Sequence, residues 1–145
     1  MNLMSINWLA LALGTIAIFF VNAIWFGPKT FYPVWWKAMG KEVTKPEDQD
    51  TSPKTMLRLF GGSFAAALAQ AIVLLVLVSY ASTQPAFAIS TGAAIGLALG
   101  VVAAGASLAH RLFGQQGFKV WIIEVGADVL ALFIAGAIIA ALVTA

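Results

Sequence analysis

Two acidic residues, Glu124 and Asp128, stand inside the last long apolar run of this 145-residue chain. Their i, i+4 spacing puts both on one helix face, with a rise of about 6 Å between them. Counted inward from Phe118, Glu124 lies roughly 9 Å and Asp128 roughly 15 Å along the axis, which brings Asp128 near the centre of a bilayer. A charge at that depth costs at least ~2.5 kcal/mol on insertion scales, so such acids face a bundle interior and are paired, protonated or hydrated. Intramembrane acids exchange protons or hold cations in transporters. Two carboxylates also suit general acid and base work, but no nucleophile motif, metal cluster or phosphate loop accompanies them, and an enzyme is not expected.

The other apolar runs offer partners for these acids. Ser107, His110 and Arg111 reach the depth of Glu124 if the third and fourth runs form a hairpin, and Arg58 is a further cation for it. Asp128 has no cation close in sequence or depth, which leaves Asn22, Gln70 or a serine as donors. Gly14, Ile18 and Asn22 share a face of the first run, as do Arg58, Gly62, Ala66 and Gln70 of the second. Gly92, Gly96, Gly100, Ala103, Ser107 and His110 form a small-residue stripe on the third, suited to close backbone approach within one bundle or between copies. Two readings compete. In one, Glu124 and Asp128 are tied into ion pairs and hydrogen bonds that orient the bundle. In the other, they line a polar cavity as proton or ion sites, with His110 and Arg111 tuning Glu124.

The elements that must position these residues follow from composition. The chain is 61% hydrophobic and 10% charged, against roughly 25% charged in an ordinary soluble domain. The apolar residues gather in runs at about 6–26, 57–80, 86–112 and 118–143, each long enough for the ~20 residues a spanning helix needs. The expected fold is an all-α integral membrane protein: one four-helix transmembrane domain over 1–145, with a loop at 27–56. All eight Lys and Arg residues fall at one side, since Lys29, Lys37, Lys41, Lys45, Lys54 and Arg58 belong to the first connection and Arg111 and Lys119 flank the third. The positive-inside rule makes that side cytoplasmic and puts both termini outside the cytoplasm.

Within the first connection, Gly27-Pro28 stops the first helix. Phe31 to Gly40 is an aromatic segment too short to span, with Pro33 suited to a first turn and Gly40 to a C-terminal cap. It is expected to lie in the headgroup region as a short interfacial helix, its rings and Lys37 acting as depth anchors or as a substrate gate. Lys41 to Thr51 is a solvated loop that mixes Glu42, Glu47, Asp48 and Asp50 with its lysines, a pattern that argues against nucleic-acid binding despite a net charge of +2. Ser52-Pro53 signals a helix start. The absence of cysteine and the single histidine exclude thiolate chemistry and make zinc and haem sites unexpected. No basic residue precedes Ile6, so the first run is expected to be a retained helix, not a signal peptide. Arg58-Leu59-Phe60-Gly61 recurs as Arg111-Leu112-Phe113-Gly114, but one opens a helix and the other closes one, so this is no internal repeat.

Ala23-Ile24-Trp25-Phe26-Gly27-Pro28 followed by Trp35-Trp36-Lys37-Ala38-Met39-Gly40, with Phe118 to Gly126 in the last helix, resembles the bacterial membrane family domain of unknown function 1761. The resemblance covers nearly the whole chain, although Glu124 stands where Asn or Asp is expected. It implies a four-helix protein of the bacterial inner membrane and supplies no activity. The resulting expectation is proton-linked or ion-linked passage of a small solute with Asp128 and Glu124 as ion or proton sites, no cofactor, and assembly into a homo-oligomer or with a membrane-complex partner. The alternative is a non-catalytic accessory or scaffold subunit.

Overall fold

The computed structural model describes residues 6–41 and 50–144. Most of the mixed-charge loop, including Glu42, Lys45, Glu47 and Asp48, lies outside the described residues, as do residues 1–5 and Ala145. Among those described, all regular structure is helical: α1 (Trp8–Trp25), α2 (Tyr32–Ala38), α3 (Pro53–Met56), a π-helical turn (Leu57–Gly61), α4 (Gly62–Ala81), α5 (Ile89–Phe113) and α6 (Gly117–Val143). Helix α3, the π turn and α4 form one continuous span, so four helices are long and apolar enough to cross a membrane, as expected.

The boundaries follow local chemistry. The Asn7 side chain accepts from the Ala10 N–H at 2.9 Å and caps α1, while its Nδ2 donates to the Leu142 carbonyl and ties that end to α6. At the other end of α1 the Thr30 hydroxyl donates toward the carbonyls of Ile24, Trp25 and Gly27, which satisfies acceptors left open where Gly27-Pro28 halts the helix. Pro33 sits in the first turn of α2, and Gly40 follows that helix at φ +72°, a conformation glycine adopts freely. Ser52 caps α3 through the Thr55 N–H. The third span starts later than its run of apolar residues: Ala86 lies at φ +64° and helix begins at Ile89, where the Thr91 hydroxyl accepts from the Ala88 N–H.

Helix α6 is the centre of the bundle, and α1, α4 and α5 all pack on it. Its contact with α5 is the most extensive because the stripe Gly92, Gly96, Gly100 is buried against it. A Cβ at Gly96 would strike the Leu132 carbonyl, and one at Gly100 would come within 2.8 Å of the Val129 Cα, so the two backbones touch. The stripe therefore packs inside the chain. On α1, Gly14 makes room for the Ile139 side chain. Around that point Ala10, Ile18, Ala71, Leu74, Ala135 and Ile139 form a fully buried core that closes the bundle away from its basic end.

Candidate functional site

Near the basic end, α6 carries Glu124 with both carboxylate oxygens engaged. The Arg111 Nε lies 2.7 Å from Oε2, and the Trp35 indole N–H donates to Oε1 at 3.0 Å. Arg111 comes from the last turn of α5, where Gln116 in the following turn also accepts from its guanidinium. Trp35 comes from α2. The carboxylate thus joins α2, α5 and α6 at one point, and at 17% side-chain exposure it is well shielded, whereas Arg111 at 34% remains in partial contact with its surroundings.

The aromatic segment is tied to the bundle at a second point. Trp25, at the end of α1, donates its indole N–H to the Ile123 carbonyl at 2.9 Å. Its ring lies against Gly126, where a Cβ would approach to 2.8 Å, and stacks on Phe31 with centroids 4.3 Å apart. Tyr32 stacks on Trp36, and Lys41 places its ammonium 4.4 Å from the Trp36 ring centroid. The segment is more than a belt that sets depth, because its Trp35 indole reaches α6 directly and its Phe31 ring stacks on Trp25, whose indole does the same from α1. Sequence periodicity missed both contacts; the available signal was that an indole N–H removed from water needs an acceptor.

Asp128, one turn deeper, faces a different environment. It is half-buried in the wall of a cleft of about 540 Å³ between α1, α4 and α6. Ile18, Phe19, Asn22 and Phe26 supply the α1 wall, Ser63, Ala66 and Gln70 the α4 wall, and Phe60 of the π turn its rim. Among the described residues Asp128 makes no hydrogen bond or ion pair. Glu124 is not part of the cleft wall, so the two acids that share a helix face do not share a cavity. One i, i+4 step turns a side chain by about 40°, enough to move it from the α2 and α5 side into the groove between α1 and α4.

The remaining residues singled out in the sequence divide. Asn22 and Gln70 reach the cleft, with Asn22 donating from Nδ2 to the Ile18 carbonyl at 3.0 Å. His110 is exposed at the end of α5 and makes no contact with Glu124 among the described residues, so only Arg111 of that pair meets the acid. The Ser107 hydroxyl donates to Ala104 in its own helix, and the same carbonyl accepts from the Trp121 indole of α6 at 3.1 Å. Arg58 and Gly62 are exposed, apart from Ala66 and Gln70. Successive i+4 steps drift by about 40° each, and the wider π turn breaks the row further. Phe60 and Ser63 border the cleft in their place.

A family model described as Protein of unknown function (DUF1761) matches residues 9–140 of the chain. No curated protein and no solved structure matches it.

Proposed function

The chain belongs to the DUF1761 family, and since that membership brings no activity with it, we propose from the geometry alone that the protein passes a small solute through its cleft, coupled to a proton or ion exchanged at Asp128. The observation that carries this reading is an acid at mid-helix depth on the wall of an open cleft, without a partner among the described residues. A purely structural carboxylate in that position would be expected to find a donor, because leaving it bare is costly. Glu124 takes the other role, as a latch between α2, α5 and α6, with Arg111 holding its charge. In this reading the protein sits in the bacterial inner membrane with its basic end in the cytoplasm, and the charge asymmetry of the connections supports that orientation.

Full pairing of Glu124 favours a second reading, an accessory or scaffold subunit in which the cleft is incidental and the exposed apolar faces meet other subunits. Reconstitution into liposomes separates the two. Proton flux, followed with an entrapped pH dye, is expected from the wild type and should fall at least about tenfold in Asp128→Asn, the factor that corresponds to about 1.4 kcal/mol of lost stabilisation. Wild-type flux no greater than that of empty liposomes would leave the accessory reading.

A further inference from the structure

We propose that the ligand of the cleft is an amphiphilic organic cation, a monovalent ammonium-type or phosphonium-type centre on an apolar or aromatic body, paired with the Asp128 carboxylate and flanked by the rings of Phe19, Phe26 and Phe60. This deepens the solute-passage reading and rests on it for the identity of the site.

The first argument is charge. Among the described residues Asp128 is the one ionisable group on the cleft wall, which shows no Lys, Arg or His. From α1 it is faced by Asn22 and from α4 by Ser63 and Gln70, none of which titrates. The nearest acid on its own helix, Glu124, is neutralised by Arg111 of α5, and that guanidinium is further held by Gln116. No protein cation is free to balance Asp128 within this group. A solute cation would supply the missing charge.

The second is size and lining. A cleft of about 540 Å³ falls within the range of sites for small organic molecules and is far too roomy to cage a bare metal ion. Among the described residues no cluster of three or more His, Cys, Asp or Glu side chains could hold a metal. The walls are largely apolar, and aromatic faces attract organic cations once water is excluded. Asn22 spends one amide N–H on the Ile18 carbonyl and the Ser63 hydroxyl donates to the Leu59 carbonyl, so each keeps an oxygen able to accept from a cationic solute.

The third is access. Ala23, Pro28, Phe60, Ser63 and Ala66 are exposed along the rim, and Phe60 keeps 55% of its surface open. The opening lies between two spans, so an amphiphile dissolved in the bilayer can reach Asp128 from the side. Phe19 of α1 also meets Phe64 of α4 edge to face at 5.9 Å, which braces one of the cleft rings across these two helices.

Equilibrium binding of tetraphenylphosphonium and tetraphenylborate, ions of matched shape and opposite sign, to the purified full chain in lipid nanodiscs tests the proposal. The wild type should bind the phosphonium at least about tenfold more tightly than the borate after subtraction of empty discs, and Asp128→Asn should remove that preference. Asp128→Glu should keep it. Ser63→Lys, at a rim position from which the ammonium can reach toward the cleft, should in its folded form weaken phosphonium binding and strengthen borate binding. Equal retention of both ions by the wild type, or unchanged phosphonium binding in folded Ser63→Lys or folded Asp128→Asn, would overturn the proposal. Because no gradient is applied, phosphonium binding without flux in liposomes would uphold this ligand and remove the passage reading. Flux without phosphonium binding would do the reverse.

Discussion

Gly92 and Gly136 meet backbone against backbone: a Cβ built on either one overlaps the carbonyl oxygen of the other. The crossing of α5 and α6 is therefore set by main chain, which cannot swing aside as a flexible side chain would. The same holds one turn on, where Gly96 faces the Leu132 carbonyl.

Gly96→Ala should accordingly lower thermal stability in detergent by roughly 1–3 kcal/mol, the usual cost of forcing a packed interior apart. Gly105→Ala provides the contrast, since a Cβ there meets nothing within 4 Å. It should raise stability by about 0.5–1 kcal/mol through helix propensity. Thermal unfolding of the two variants side by side checks the pair, and equal shifts would count against the main-chain contact.

Trp35→Phe keeps a ring in α2 and deletes the N–H that Glu124 accepts. Loss of one hydrogen bond to a charged, mostly shielded group is expected to cost about 1.5–3 kcal/mol. Release of α2 should also show as faster proteolysis between Gly40 and Asp50, with the rest of the chain still protected. An unchanged digestion rate would mean that α2 is held by ring stacking alone.

Asp50, outside the spans, offers a pH effect with a definite sign. The Thr55 hydroxyl, 2.6 Å from Oδ2, and then the Ser52 N–H and side chain hold its carboxyl below the ordinary value of 3.8. A depressed value means that the ionised form is favoured in the folded state. Its contribution to the helix start at Pro53 is present above the unfolded value and is lost as pH falls through the folded one. Protection of the Thr55 amide, measured against its unstructured exchange rate at each pH, should therefore fall on acidification below about pH 4, and Asp50→Asn should remove that step.

Cysteines introduced at Lys54 and Thr83 test the orientation, both positions being exposed and lying at opposite ends of the span Pro53–Ala81. The cysteine at position 83 is expected to react with an impermeant reagent on intact cells, and the one at 54 only after permeabilisation. The opposite pattern would reverse the charge argument.

The spans were legible because run length alone specifies them; Ser52-Pro53 marks the start of the second span, and Pro33 and Gly40 the ends of the short α2, with residues whose backbone preferences are strong. The glycine stripe was legible as a surface for close approach, though its partner was not, since small residues fit any neighbouring backbone. Other features had no local signal. Nothing in Leu57-Arg58-Leu59-Phe60-Gly61 distinguishes a π turn from an α turn. Ala86 carries a positive φ that its side chain disfavours, so only tertiary structure explains it. The union of Trp35 with Glu124 bridges 89 residues. The separation of Glu124 from Asp128 depends on which helices fill the space on either side of α6, and spacing along one helix cannot supply that.

Because α6 is the member on which α1, α4 and α5 all pack, the order of synthesis leaves the bundle without its centre until the last of the four spans emerges. The glycine face of α5 would meanwhile meet lipid or an insertion factor, and the Asn7 side chain would wait for Leu142. Biogenesis should thus be a late, concerted event in which α5 and α6 enter as a hairpin and draw the earlier helices around them. A chain truncated before Gly117 should insert in the bilayer yet stay exposed to quality-control proteases, and one released after Val143 should be protected.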